Sequence, residues 1–359
     1  MNRKAVYPLL LLMGIILISG CSQQAPASGG PGDILIADDG YMHGDPDISG
    51  NLLVWTGRSP TGEYLFLRDL STNRNLEIRN RSKTSEYENV FGNAFISGTD
   101  ILRNEVINDK RTVYLYDLTT GKETLLLRDW VFTPVDFDGI WLIGSSCQVR
   151  PHRVGSMEVW DLLCDLSGYH IPTGTTRMIT NMTGFQGDAS LDRGRVVYSA
   201  GDGGKYHVYL YDLSSGIQTR ITTDPIGYTA PRLSGDHIGW MALQGNRTII
   251  SLYNISTGKM ISLPNNLQNV YSLGISDNYV LWSGPAYEKG QALYVYSIPA
   301  GELSRVTGPE ARPLDTFAIS NSYVVWEDVR EKKDQKDLYR IYAMALTREN
   351  MEPVNFGTG

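Results

Sequence analysis

Cysteine, histidine, cationic charge and long apolar runs are all in short supply in this 359-residue chain, which has three Cys and five His. A structural zinc site takes four converging Cys or His ligands, and no Cys-x-x-Cys pair is present. His43, His152, His170, His207 and His237 are dispersed along the chain, so no metal centre and no cofactor are expected. Asp45-Pro46-Asp47 carries oxygens suited to calcium, but Pro-Asp ahead of a strand reads as turn chemistry. The sequence also lacks a Gly-x-Ser-x-Gly elbow, a His-Glu-x-x-His pair and a phosphate loop. Lys and Arg number 32 against 39 Asp and Glu. An acidic chain of this kind is poorly suited to nucleic acid or to an anionic lipid surface. Beyond the first 20 residues, no apolar run approaches the roughly 20 residues that span a bilayer.

The N-terminus is the apolar exception. Asn2-Arg3-Lys4 precedes an apolar stretch from Ala5 to Ile18, which is too short to span a bilayer and has the layout of a signal peptide. Ile18-Ser19-Gly20-Cys21 resembles a lipobox, in which small residues precede the cleaved bond and the following thiol takes a diacylglyceryl group. Residues 1–20 are therefore expected to be a lipoprotein signal peptide, with Cys21 the lipidated first residue of the mature chain. Acyl chains on Cys21 would hold the protein on a membrane. Removing residues 1–20 takes away Arg3 and Lys4 and leaves 30 basic against 39 acidic residues, a net charge of −9. Residues 21–32, rich in Pro, Ala, Ser and Gly, read as a flexible linker.

What the chain has in plenty is Gly (37), Tyr (21) and Trp (7), and they recur with a period. The unit is an apolar residue, a Ser-Gly-polar turn, a β-branched run ending in Trp, a variable loop, a Tyr-rich strand, an Asp-Leu-Ser-Thr-Gly turn and a polar strand. Ile48-Ser49-Gly50-Asn51-Leu52-Leu53-Val54-Trp55 is one instance, and Leu233-Ser234-Gly235-Asp236-His237-Ile238-Gly239-Trp240 is another. The turn marker falls at Ser49, Ser97, Asp138, Asp192, Ser234, Ser276 and Ser320, with spacings of 48, 41, 54, 42, 42 and 44 residues. The aromatic position recurs as Trp55, Tyr198, Trp240, Trp282 and Trp326, and reads as packing between blades. The second unit has Arg103 there. Seven such units predict an all-β chain, a seven-bladed β-propeller of four-stranded antiparallel blades over residues 33–359. Ile34-Leu35-Ile36-Ala37 resembles the outer strands of other units and is expected to complete blade seven. The competing closure uses residues 350–354, where Pro353 permits only an edge position.

The pattern Pro-x-Ile-Ser-Gly-Asn, Val-Trp, Leu-Tyr-x-Tyr-Asp-Leu-x-Thr-Gly resembles the TolB-like propellers, and is most similar to propeller repeats in surface proteins of methanogenic archaea. Trp326-Glu327-Asp328-Val329-Arg330 with Asp337-Leu338-Tyr339 is the fullest version. The resemblance implies the propeller fold and an extracytoplasmic setting, and says almost nothing about activity. TolB has six blades and an extra N-terminal domain, whereas seven blades are expected here.

In a propeller, the loops joining blades and the loops joining second to third strands share one face, where ligands usually bind. Tyr41, Phe91, Phe132, Phe185, Tyr228 and Tyr271 each precede a turn marker in the blade-joining loops. They either plug gaps between blades or rim a ligand mouth. The charge run from Asp328 to Asp337 reads as a solvated hairpin tip. The third unit is longer, and holds both remaining cysteines. If its hairpin extends symmetrically, the numbers of facing residues add to about 311, as Cys147 and Cys164 do, so a disulfide between them is expected in an exported chain. The functional expectation is a monomeric, non-enzymatic, lipid-anchored surface propeller that binds an envelope protein or glycan. The alternative is an extracellular glycosidase or lyase, which needs carboxylates converging at the propeller mouth.

Overall fold

The computed structural model describes residues 32–37, 41–59, 62–82, 90–107, 110–154, 157–181, 184–202, 205–224, 230–264, 269–286 and 290–354. Residues 1–20, expected as a signal peptide, Cys21, residues 22–31 of the expected linker, and Tyr228 lie outside them. The described chain is all strand, in seven antiparallel sheets set one after another along the sequence. Blade one runs Met42–Ser49, Leu52–Ser59, Gly62–Asp69 and Arg74–Ser82, from the innermost strand outward. Blades two to five repeat this order. The chain is a seven-bladed propeller, as the spacing of the turn markers predicts.

The ring closes as Ile34–Leu35 of the N-terminus adds to the outer edge of blade seven. Ile34 faces Ala343 and Leu35 faces Tyr342, and Ile36 N donates to Ile341 O at 2.9 Å. Three arginines hold this segment. Arg330 pairs with Asp33 at 2.9 Å, Arg68 of blade one donates to Ile36 O at 2.8 Å, and Arg340 donates to Tyr41 O at 3.2 Å. The C-terminal Glu352–Pro353 lies elsewhere, as a fifth strand on the edge of blade six, with Pro353 opposite Ser304. An edge place suits proline, which has no N–H to give.

The turn markers join neighbouring blades as well as turning the chain. Ser49 Oγ accepts from Gly98 N of blade two at 2.9 Å, Asp138 from Gly194 N at 2.7 Å, and Asp192 from Gly235 N at 2.6 Å. Ser234 donates to Asp277 at 3.1 Å, and Asn278 N donates to Asn321 at 3.1 Å. Gly98, Gly194 and Gly235 all have positive φ, which orients the bonded N–H and which other residues adopt at a cost.

The recurring aromatic position is packing. Four of the five face and pack on an aromatic of the third strand, Trp55 on Phe66, Tyr198 on Tyr209, Trp282 on Tyr294 and Trp326 on Tyr342, with ring centroids 5.2–6.2 Å apart, while Trp240 is buried opposite Ser251. Arg103 keeps the pattern in blade two by lying 4.0 Å over the ring of Tyr114, its facing residue. It is 1% exposed and is compensated by Glu105 at 2.5 Å and Glu123 at 2.7 Å. Blade three has Gly144 at this place. A Cβ there would meet Trp130 at 2.6 Å, so the last residue of blade two's outer strand fills the space.

Blade three also carries the long hairpin Trp141–Val154 and Met157–His170. Its inner neighbour pairs only as far as Ser145, and its outer neighbour only from Ser167, so the rest is a two-stranded arm rising from the loop face. Cys147 and Cys164 face each other and are disulfide-bonded at the foot of this arm. A free two-stranded ribbon is marginally stable in water, so the bond sits where the arm loses its sheet neighbours.

One expectation needs correcting. Asp328 to Asp337 is not a solvated tip throughout. Asp328 is fully buried and Arg330 is 2% exposed by side chain. Asp328 accepts from Trp326 Nε1 at 3.0 Å, Arg330 Nη2 at 2.7 Å and the Arg330 backbone N–H at 2.8 Å. Arg330 also lies 4.1 Å over the ring of Tyr342. Only the turn itself, with Lys332 and Asp337 paired at 3.1 Å, is open to solvent.

Candidate site at the seam of blades seven and one

The innermost strands carry bulges in blades one, two, three, four and seven. A bulge turns side chains away from the regular alternation. In blades one and four the bulge places Asp45 and Asp188 at positive φ, a region that aspartate tolerates better than most residues. The outcome is a carboxylate-rich central channel with two overlapping free volumes of about 450 and 470 Å³. Asp45, Asp47, Asp136, Asp188, Asp315 and Arg232 line it.

Two of these carboxylates are engaged in holding the ring. Asp47 accepts from Ile48 N at 2.9 Å and, across the blade boundary, from Ile96 N at 2.8 Å. Asp136 does the same with Phe137 N at 2.8 Å and Leu191 N of blade four at 2.7 Å. Ser190 repeats the bridge to Leu233 N at 3.2 Å. Burial raises Asp47 to about 6 and Asp136 to about 7, against the lowering effect of the backbone N–H groups they accept.

A second cavity of about 300 Å³ lies where blade seven meets blade one, at the loop face. Its polar lining is His43, Asp45, Thr56, Arg58, Glu63, Glu327 and Tyr339. Gly44 lies against Glu327, where an added Cβ would be in ordinary contact with Oε1 at 3.5 Å. Arg58 pairs with Glu63 at 2.9 Å. His43 is buried on the innermost strand, and its Nδ1 accepts from Trp55 Nε1 at 3.0 Å. Glu327 accepts a hydrogen bond from Thr316, and burial followed by repulsion from Asp45 raises it to about 7. Among the described residues no three His, Cys, Asp or Glu side chains are grouped to hold a metal ion.

The loop-face aromatics do not gather around one mouth. Tyr41 stacks on Tyr64 at 4.7 Å beside the seam cavity, Phe132 packs on Trp130 at 5.8 Å, and Phe185 meets Tyr206 edge-on at 5.7 Å. Each of these three stays within or beside its own blade. Tyr271, 45% exposed, is open to a ligand. The side chain of Phe91 lies outside the described parts. The seam cavity was not legible in the sequence, because Asp45 and Glu327 are 282 positions apart and meet only through ring closure. The one hint was that the fullest family-like motif, Trp326 to Arg330, sits in the blade that must close the ring.

Comparison with known proteins supports the fold. No protein-family model matches the chain, and no curated protein matches it. Among solved structures, an oligogalacturonate lyase from Vibrio parahaemolyticus is similar at a TM-score of 0.62 and 13% identity, over 90% of this chain and 97% of that one. The β-propeller domain of the Trilobed protease from Pyrococcus furiosus, described as having an open velcro topology, is similar at 0.63 and 11%, over 89% of this chain and 99% of that one. TolB from Acinetobacter baumannii superposes at 0.46 with 14% identity, over 84% of this chain and 80% of that one. Identities this low speak to the propeller fold and to nothing finer. The ring here is closed by Ile34–Leu35 against blade seven.

Proposed function

We propose that this chain is an extracytoplasmic propeller, anchored through a lipid on Cys21, that binds a glycan of the cell envelope on its loop face without transforming it. The observation that carries the reading is the seam cavity. It is concave, opens at the loop face, and combines carboxylates, an arginine and Tyr339 with the stacked Tyr41 and Tyr64 alongside. Flat aromatic area beside hydrogen-bonding side chains suits a sugar. The lipobox-like Ile18-Ser19-Gly20-Cys21, the Cys147–Cys164 bond and the resemblance to repeats of archaeal surface proteins support the location.

The test is retention of envelope polysaccharide on the immobilised mature protein. Wild type is expected to retain it, and Tyr339→Ala, which trims the cavity wall, is expected to retain much less at an unchanged melting temperature. Equal retention by both proteins removes the seam from the account, and retention of envelope proteins alone refutes the glycan reading.

A second reading has one observation in its favour. Asp45 and Glu327 are paired carboxylates whose environments differ, one exposed and one buried, as in glycosidases where one acid holds a proton and the other is ionised. Release of new reducing ends from envelope polysaccharide, abolished by Glu327→Gln, would favour that reading over simple binding.

A further inference from the structure

Cation balance in the seam cavity is incomplete. Of the four charged side chains lining it, Arg58 and Glu63 satisfy one another at 2.9 Å. Asp45 and Glu327 remain, and among the described residues neither has an ion-pair partner. Glu327 is 9% exposed and accepts from Thr316, while Asp45 stands on the bulge beside it and repels its charge. Arg330 and Arg340, the nearest arginines in sequence, are committed elsewhere: Arg330 to Asp33 and Asp328, and Arg340 to Tyr41 O and Glu331. A buried carboxylate beside a second carboxylate is costly unless a positive charge joins them. The cavity is open at the loop face and Asp45 borders the central channel as well, so that charge would come from a ligand.

We propose that this pocket seats the free ammonium group of an amino sugar, held between Asp45 and Glu327. An ammonium has three donors, enough for both carboxylates and one further acceptor. Glu63 is paired with Arg58, His43 Nδ1 accepts from Trp55, and among the described residues no three His, Cys, Asp or Glu side chains are grouped to hold a metal ion, which suits an ammonium better than a divalent metal that takes more oxygen ligands. Tyr41 stacked on Tyr64 at 4.7 Å stands next to the strand that carries Asp45, where it would flank the sugar ring. The inference rests on the glycan-binding reading above and adds the charge of the sugar that the site selects.

The test is calorimetric titration of the purified mature protein with a glucosamine tetramer and with its fully N-acetylated counterpart, at neutral pH and low salt. Acetylation removes the positive charge and keeps the rest of the sugar. The free amine is expected to bind at least tenfold more tightly. Glu327→Gln keeps shape and volume, and should weaken glucosamine binding by roughly 10- to 100-fold, the usual effect of removing a hydrogen bond to a charged group. Asp45→Asn, exposed and at a φ that asparagine tolerates, gives an independent variant should the buried substitution disturb folding. It should also weaken the amine, by a larger factor than it weakens the acetylated tetramer. Equal affinity for both tetramers overturns the ammonium inference while leaving glycan binding standing. Failure of wild type to bind the glucosamine tetramer overturns it as well, and retention of envelope polysaccharide then decides the broader reading separately.

Discussion

Replacing Arg330 by Ala should unfasten the ring at its closing seam. Arg330 lies between Asp33, on the segment that leads into the closing strand, and Asp328, within blade seven, at 2.9 and 2.7 Å. All three side chains are almost fully buried. Removing the guanidinium takes from Asp33 and Asp328 the ion pairs that Arg330 makes with both and strips the face of Tyr342 of its cation. Breaking a buried ion pair by deleting one partner costs about 3–5 kcal/mol. Unfolding entropy near 2.1 cal/mol/K per residue gives about 0.7 kcal/mol/K for some 320 propeller residues, so the melting temperature should fall by roughly 4–7 °C. Differential scanning calorimetry of wild type and Arg330→Ala reads this directly. Asp33→Asn, which keeps an acceptor oxygen, should cost less. A shift below about 1 °C for Arg330→Ala would show that the pair does not hold the ring closed and would refute the reasoning.

Further outcomes follow from the same structure. Removing residues 22–37 opens blade seven and should lower the melting temperature sharply, whereas truncation after residue 349 strips only the edge strand of blade six and should have a much smaller effect; the reverse order would mean the C-terminus closes the ring. Stability should fall as pH rises from about 4 to about 7, because Asp47, Asp136 and Glu327 bind protons in the folded state well above their ordinary range, so that the native chain holds more protons than the unfolded one. Asp136→Asn should flatten that slope in melting curves taken at pH 4.5, 6 and 7.5. Below pH 4 the trend reverses, since hydrogen bonds from turn hydroxyls and N–H groups lower Asp117 and Asp212 to about 2, and their contribution disappears on protonation. Intact mass with and without reductant should show Cys147 and Cys164 bonded, and two free thiols in unreduced protein would contradict the pairing.

The sequence carried the architecture because the architecture is repetitive. Seven turn markers, a recurring aromatic and a symmetric hairpin register are local regularities, and Cys147 opposite Cys164 follows from register alone. Ring closure by Ile34–Leu35 was legible for the same reason, since an outer strand looks like other outer strands. What the sequence hid depends on contacts between distant segments. Asp328 and Arg330 look solvated in a run of charges, and are buried because Asp33, nearly 300 residues earlier, folds onto them. Gly144 gives no sign that Trp130 of the preceding blade occupies its space. The loop-face aromatics follow a linear pattern, yet Phe132 and Phe185 pack into blades and only Tyr41, stacked on Tyr64, stands beside the cavity, which formed at the seam where the two ends of the propeller meet.

The central claim is that the loop face binds an envelope glycan and returns it intact. The direct measurement is the chain length of polysaccharide before and after passage over the immobilised mature protein, by size-exclusion chromatography with reducing-end quantification. The account predicts retention, then elution with unchanged length and no new ends. Shortened chains with new reducing or unsaturated ends would contradict it and make the chain an enzyme.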